Sequence, residues 1–348
     1  MIHGGEFEDN RIKTDFSVNI NPVKTPESIT AAMKHAVDYA DRYPQLHSEK
    51  LTEALADRFK IGKNQILTGN GSSELFTAVA NAFSPCTVMI PVPSFYGYEY
   101  AASANNTDLR FTELDPDEDF AVTEGFFERL KNEWENDGKE GILFLANPNN
   151  PTGKIIEKEL LTKIISYCGE RNIFVVLDEC FYEFTGGTDS MFERVEEFSN
   201  LIVIGSFTKT FSIPSVRIGY LACGNEEVIG KIGRQIPEWN VSGIAQAAGM
   251  ECLKHPEHMK KSEEYIKKER DYLAENLRVS GIKVFDSGAN FLLLYSELPL
   301  YEECLKCGIG IRDASNFRGL KKGYYRIAVR THEENRMLTD TIRKIAGL

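Results

Sequence analysis

Ile173-Phe174-Val175-Val176-Leu177-Asp178-Glu179 is a run of five apolar residues closed by two acids. Nothing in it alternates, so it reads as a strand covered on both faces rather than one with a wet side. The same texture recurs in Ile66-Leu67, Thr87-Val88-Met89-Ile90, Gly141-Ile142-Leu143-Phe144-Leu145 and Leu201-Ile202-Val203-Ile204. Between these runs, residues 72–83, 123–135 and 156–171 carry helical patterning and are long enough to serve as crossovers between parallel neighbours. The expected fold class is α/β, a mostly parallel central sheet in a large domain.

From about Ile244 the texture becomes charge-rich and helical, with a break expected at His255-Pro256. Strand-like Asn290–Leu294 and Tyr325–Val329 follow, then a closing helix from about Glu333 to Ile345. This describes a smaller α+β domain. The division read from texture is 1–43 as an N-terminal arm and part of the small domain, 44–245 as the large domain, and 246–348 as the small C-terminal domain. A chain of 348 residues has room for about two domains and a sizeable core. Its formal charge of −12 would repel a polyanion, which argues against nucleic acid as a partner. Seven cysteines, an odd number in a chain large enough to need no staples, fit reduced thiols and a cytoplasmic setting. The first residues lack a basic stretch followed by an apolar one, and no apolar run approaches the ~20 residues of a membrane span, so no membrane partner is expected.

In an open α/β sheet, ligands bind beyond the carboxyl ends of the strands. After Leu67 comes Thr68-Gly69-Asn70-Gly71-Ser72-Ser73-Glu74, a small-residue turn entering a helix whose free N–H groups suit a phosphate. It matches neither G-x-G-x-x-G nor the P-loop pattern, and an ordinary structural turn is an equal reading. After Leu145 comes Ala146-Asn147-Pro148-Asn149-Asn150-Pro151-Thr152-Gly153, whose Asn/Pro segment reads alone as an ordinary turn. Asp178 after Leu177 reads alone as a cap or ion-pair residue. Gly205-Ser206-Phe207-Thr208-Lys209 follows Ile204, with Arg217 eight residues after the lysine. Cys304-x-x-Cys307 lacks the second pair that a structural zinc site needs, so no metal is expected there. Cys180, beside Asp178, reads as a small packing side chain rather than a nucleophile.

Taken together, Asn147-Pro-Asn-Asn-Pro-Thr-Gly153, Asp178-Glu179, Ser206-Phe-Thr-Lys209 and Arg217-Ile-Gly-Tyr220 resemble fold-type I pyridoxal-phosphate enzymes, the aspartate aminotransferase superfamily, over essentially the whole chain. The resemblance implies pyridoxal 5'-phosphate as cofactor, with 44–245 binding it. Lys209 would form the Schiff base with the cofactor aldehyde and shuttle protons at Cα. Asp178 would keep the pyridine nitrogen protonated, and Asn150 would donate to the ring phenolate oxygen. Gly71, Ser72, Ser73, Ser206, Thr208 and Arg217 would cup the phosphate, and Phe95 would stack on the ring. Tyr43 matches a tyrosine that reaches the neighbouring subunit's phosphate, which implies a homodimer with shared active sites. One departure is Phe181, where many relatives carry a tyrosine that bonds the phenolate oxygen; Tyr182 is expected on the other face.

Arg326 matches the small-domain arginine that grips the substrate α-carboxylate, so the expected substrate is an amino acid. The chain is similar to the histidinol-phosphate aminotransferase branch and, within it, to threonine-phosphate decarboxylases of cobalamin synthesis. The marks are His3-Gly4-Gly5, Phe16–Pro22, Ile311–Phe317 and Ala328-Val329-Arg330-Thr331. Val23-Lys24-Thr25-Pro26 and Gln45-Leu46-His47 depart from that pattern. The resemblance implies decarboxylation of L-threonine O-3-phosphate, with transfer of an amino group to a 2-oxo acid as the alternative and a non-catalytic cofactor-binding regulator as a remote one. Decarboxylation and transamination share every cofactor contact and differ in which Cα bond stands perpendicular to the ring. A substrate phosphate would need groups such as His3, Asn19, Asn21 or Arg330.

Overall fold

The computed structural model describes residues 4–5, 12–104, 107–134, 140–186 and 190–348. A short strand β1 (Thr14–Asp15) lies in the arm, and seven strands form the large sheet: β2 (Ile66–Gly69), β3 (Thr87–Val92), β4 (Asp108–Glu113), β5 (Gly141–Ala146), β6 (Ile173–Asp178), β7 (Leu201–Ser206) and β8 (Gly219–Cys223). Their order is β2-β8-β7-β6-β5-β3-β4, and among them β8 alone runs opposite to its neighbours. The uninterrupted apolar runs have a direct cause. Leu143 and Leu145 of β5, Val175 and Leu177 of β6, and Leu201 and Val203 of β7 enter the core on one face of the sheet. Ile142 and Phe144, Val176, and Ile202 and Ile204 enter a separate core on the other face. Alternation persists, but both destinations are dry.

Helix 72–83 covers one face with Leu75, Phe76 and Val79, and helix 158–169 covers the other with Leu161, Ile164 and Ile165. Both match the expected crossovers; helix Glu124–Glu133 matches the third and is capped by Thr123, whose Oγ1 accepts from Phe126 N at 3.1 Å. Strands β4 and β8 were not anticipated. β4 is an edge strand with little buried apolar surface, and β8 follows so closely on Arg217 that its five residues merge with the preceding turn.

A second, antiparallel sheet has the order β12-β13-β10-β9, formed by β9 (Lys283–Val284), β10 (Phe291–Tyr295), β12 (Arg312–Asp313) and β13 (Tyr324–Ala328). Strand β11 (Ile309–Gly310) pairs in parallel with β1. Helices Pro256–Val279 and His332–Ile345 supply Ile266, Leu273, Leu277, Leu338 and Ile342 to the core of this half. The chain does break at His255-Pro256, with the proline at the first position of the new helix. The cores interleave along the sequence. Ile29, Ala245, Ala248 and Cys252 pack in the large-sheet core, while Phe16 packs in the small one. The arm bridges the halves: Phe16 O accepts from Ala328 N at 2.8 Å, and Asn21 N donates to Lys209 O at 3.3 Å.

Candidate active site

The carboxyl ends of the parallel strands, the start of β8, the β12–β13 pair and the arm enclose a cavity of about 280 Å³. Ser72, Ser73, Phe95, Asn150, Asp178, Thr208, Lys209, Arg217 and Arg326, all expected from sequence, line it together with Asn19.

At one end, Ser72 and Ser73 open helix 72–83, so their backbone N–H groups have no partner within the helix. Gly71 precedes them at φ +80°, and a Cβ there would stand 2.3 Å from Arg217 Nη2. The missing side chain therefore lets a guanidinium lie against a helix N-terminus, a cradle for an anion. Ser206 stands behind this wall rather than on it. Its hydroxyl donates to Ile218 O at 3.1 Å, lies 2.7 Å from Thr208 Oγ1 and caps the turn Phe207–Thr210 by accepting from Thr208 N. Its role there is to hold the turn that carries Lys209.

Burial, with Arg326 and Arg217 nearby, pushes the Lys209 ammonium down to about 8. Asp178 faces it from the end of β6. Burial raises its carboxyl pKa, opposed by hydrogen bonds from Cys180 and Tyr98. Tyr98 donates its O–H to Asp178 Oδ2 at 2.5 Å, and Cys180 N donates to Oδ1 at 2.9 Å. Burial and the adjacent carboxylate hold the Cys180 thiol well above its usual range, which suits packing and not nucleophilic attack. Phe181 lines the cavity, its ring edge-on to Phe291 at 5.1 Å and 5.9 Å from Lys209 Nζ; Tyr182 does not line it. Asn150 is placed by a loop tied to itself. Asn149 Nδ2 donates to Pro93 O at 2.9 Å, and Asn147 Oδ1 accepts from Ile156 N at 3.0 Å.

On the small-sheet side Arg326 is buried; its Nη1 donates to Asn150 Oδ1 at 2.7 Å and its Nη2 to Ser17 O at 2.6 Å. An arginine only donates, so this bond fixes the Asn150 amide with its NH₂ as the group left to donate elsewhere. Among the described residues, Arg326 Nε is buried with no hydrogen-bond partner, as is Asn19 Oδ1, which belongs to a residue lining the same cavity. Arg312, quoted in the sequence without a role, stands directly opposite Arg326 in the β12–β13 register and also lines the cavity. Its Nη2 donates to Asn316 Oδ1 at 2.9 Å. Burial and the Arg312 charge push Arg326 down to about 9. Two buried guanidiniums in one cavity form a receptor for anionic groups.

Among the expected residues, Arg330, Tyr43 and Asn21 lie elsewhere. Arg330 does not line the cavity; its Nη2 donates to Glu334 Oε1 at 2.9 Å. Tyr43 is 84% exposed, its ring 5.0 Å from that of Trp239. His3 lies outside the described residues. Asn21 is committed to structure: Nδ2 donates to Thr210 O and to Ser262 Oγ, both at 2.7 Å. Cys304 is buried and Cys307 exposed at the end of helix Leu300–Lys306. Sequence reasoning missed Tyr98 and Arg312. Tyr98 carried one signal, three residues after Phe95, which stands at the N-cap of the short helix Tyr96–Ser103; Arg312 carried none without the strand register.

Among the described residues no helix is long and apolar enough to cross a membrane. Residues 11–342 match the family "Aminotransferase class I and II". A Caldanaerobacter subterraneus protein with a provisional threonine-phosphate decarboxylase name is 36% identical over 98% of this chain and 93% of its own length. The threonine-phosphate decarboxylase of Salmonella typhimurium is 30% identical over 95% and 90%. The crystal structure of the histidinol-phosphate aminotransferase from Clostridium acetobutylicum superposes with a TM-score of 0.88 at 30% identity, covering 96% of this chain and 99% of that one. With the strand-end lysine, aspartate and asparagine around one cavity, the chain belongs to the class I and II aminotransferase family and is an enzyme.

Proposed function

We propose that this enzyme uses pyridoxal 5'-phosphate to decarboxylate L-threonine O-3-phosphate, releasing CO₂ and leaving the phosphate ester of 1-aminopropan-2-ol. The observation that carries the reading is the Arg312–Arg326 pair facing the same cavity as Lys209 and Asp178. A small amino acid bearing both a carboxylate and a phosphate matches two fixed cations as an ordinary amino acid does not. The residues fit the cofactor: the cradle of Gly71, Ser72, Ser73 and Arg217 suits its phosphate, and buried Asp178 suits a ring N–H. When bound, the cofactor supplies an electron sink for a bond breaking at Cα.

The protein's own residues do the rest. Lys209, with its amine driven toward the neutral form, stands where it can take or return a proton at Cα. Asn150 donates from its NH₂ group, oriented by Arg326. Arg326 and Arg312 hold the two anions, and the choice of anion at each sets which Cα bond is turned toward the sink. In this reading 44–245 binds the cofactor and 246–348 carries the substrate arginines.

A homodimer is part of the same proposal. Exposed Tyr43, with Val37, Tyr39 and Trp239 also exposed, supports a face that a second copy covers and from which Tyr43 reaches the neighbouring site. Seven unpaired cysteines support a reducing, cytoplasmic setting. Incubation with L-threonine O-3-phosphate, without any 2-oxo acid, tests the reaction. Sustained CO₂ release is expected. Absence of CO₂, together with glutamate formation from L-histidinol phosphate and 2-oxoglutarate, would establish the aminotransferase reading that the Clostridium acetobutylicum likeness favours.

A further inference from the structure

Asp178 is the carboxylate that lines the cavity, and one of its hydrogen bonds comes from a residue that does not line it. Tyr98 is 1% exposed. Its ring stacks on Phe144 at 5.1 Å and 9°, meets Phe76 edge-on at 5.0 Å, and meets Phe95 edge-on at 5.6 Å. Three aromatic contacts leave the phenol no freedom, and its O–H is spent on Asp178 Oδ2. The other oxygen, Oδ1, takes Cys180 N. Both carboxylate oxygens are therefore engaged from the protein side, with the Cys180 thiol as a further partner, which fixes the plane of the group. A hydrogen bond to a buried carboxylate also favours its charged form against the cost of burial.

We propose that Tyr98 is a positioning residue of the cofactor site, holding Asp178 aligned and ionised for the ring nitrogen while bracing the edge of Phe95. This rests on the cofactor reading above. Tyr98 acts through its neighbours, so its signature is selective. Interactions that depend on the ring nitrogen should weaken, while those with the phosphate and aldehyde should not.

The test uses the full-length chain freed of cofactor and titrated with pyridoxal 5'-phosphate and with its 1-deaza analogue, in which C–H replaces the ring nitrogen. Both probes carry the same phosphate and aldehyde, so the Lys209 and Arg217 contributions cancel in the ratio of their dissociation constants. Tyr98→Phe keeps the aromatic packing and removes only the hydroxyl. It is expected to weaken pyridoxal phosphate binding roughly tenfold, the scale of a hydrogen bond to a charged group, and to leave the deaza analogue within about twofold. In an Asp178→Asn background the same substitution should leave the ratio unchanged. Equal weakening of both probes, or of neither, overturns the proposal and makes Tyr98 a packing residue. If Tyr98→Phe does not fold, 3-fluorotyrosine placed at position 98, a stronger donor of nearly the same shape, should tighten pyridoxal phosphate binding relative to the deaza analogue, and an unchanged ratio overturns the proposal equally. A wild-type chain that binds neither probe would overturn the cofactor reading itself; tight binding with an insensitive ratio overturns only the part assigned to Tyr98.

Discussion

The cavity has two walls built on different principles. The large-sheet wall places Asp178 at the last ladder position of β6 and Lys209 three residues past the end of β7. The small-sheet wall places Arg326 and Arg312 within strands, opposed across a register and joined by the arm through Ser17 O. The first wall carries groups whose charge depends on burial. The second carries guanidiniums; Arg326, even pushed down to about 9, stays positively charged near neutral pH. Chemistry that needs a proton to come and go belongs on the first, and recognition of anions on the second.

Breaking the first wall should cost most. Lys209→Ala is expected to lower turnover by at least ~10²–10⁴-fold, the range of a lost general acid–base group, while the protein still takes up pyridoxal phosphate. Steady-state rates and equilibrium dialysis check both halves; near-normal turnover would remove Lys209 from proton transfer. On the second wall, Arg326→Ala should lower kcat/KM roughly 10- to 150-fold, as for a lost charge-assisted hydrogen bond, for any α-amino acid tried. Arg312→Met should do the same for L-threonine O-3-phosphate yet leave L-threonine, a poor substrate, nearly unaffected. If both substrates lose equally, the two arginines do not divide the anions and the contrast within that wall disappears.

The smallest effect sharpens the difference between the walls. Only the neutral Lys209 amine attacks the cofactor aldehyde, and its pKa is pushed down to about 8. Below that value the amine is protonated and above it free. Recombination of the cofactor-free chain with pyridoxal phosphate should therefore accelerate about tenfold per pH unit up to about 8 and level off beyond. Stopped-flow absorbance measures this directly, and a rate still rising at pH 10 would mean that burial does not depress Lys209.

The contrast also explains what could be read from the chain. Strand-end residues are adjacent in sequence to the apolar runs that announce them, so Asp178, Asn150 and Lys209 stood beside their own signal. Arg312 and Arg326 are brought together by antiparallel pairing across the segment 314–323, and nothing local records that register. Arg330 reads like a site residue because it sits two residues beyond β13, yet the capping box at Thr331 and Glu334 draws its guanidinium into the closing helix. Tyr98 escaped notice because its ring looks like core and its single polar atom matters only once Asp178 is known to be buried beside it. The interleaving of the cores is equally hidden: a boundary read at about Ile244 assigns helix Gly243–Cys252 to the charge-rich half, whereas its Ala245, Ala248 and Cys252 pack in the large-sheet core.

The reversal of β8 has a consequence for how this chain can vary. Parallel neighbours need a long return path, and loops on such paths absorb extra residues at little cost. Between β7 and β8 there is no return path, only residues 207–218, with Lys209 near one end and Arg217 near the other. Lys209 and Arg217 thus ride on a single clip anchored at both ends by ladder hydrogen bonds. Insertions should be tolerated in the crossover at 114–123 and rejected between 207 and 218, where one added residue would pull the lysine and the arginine out of step.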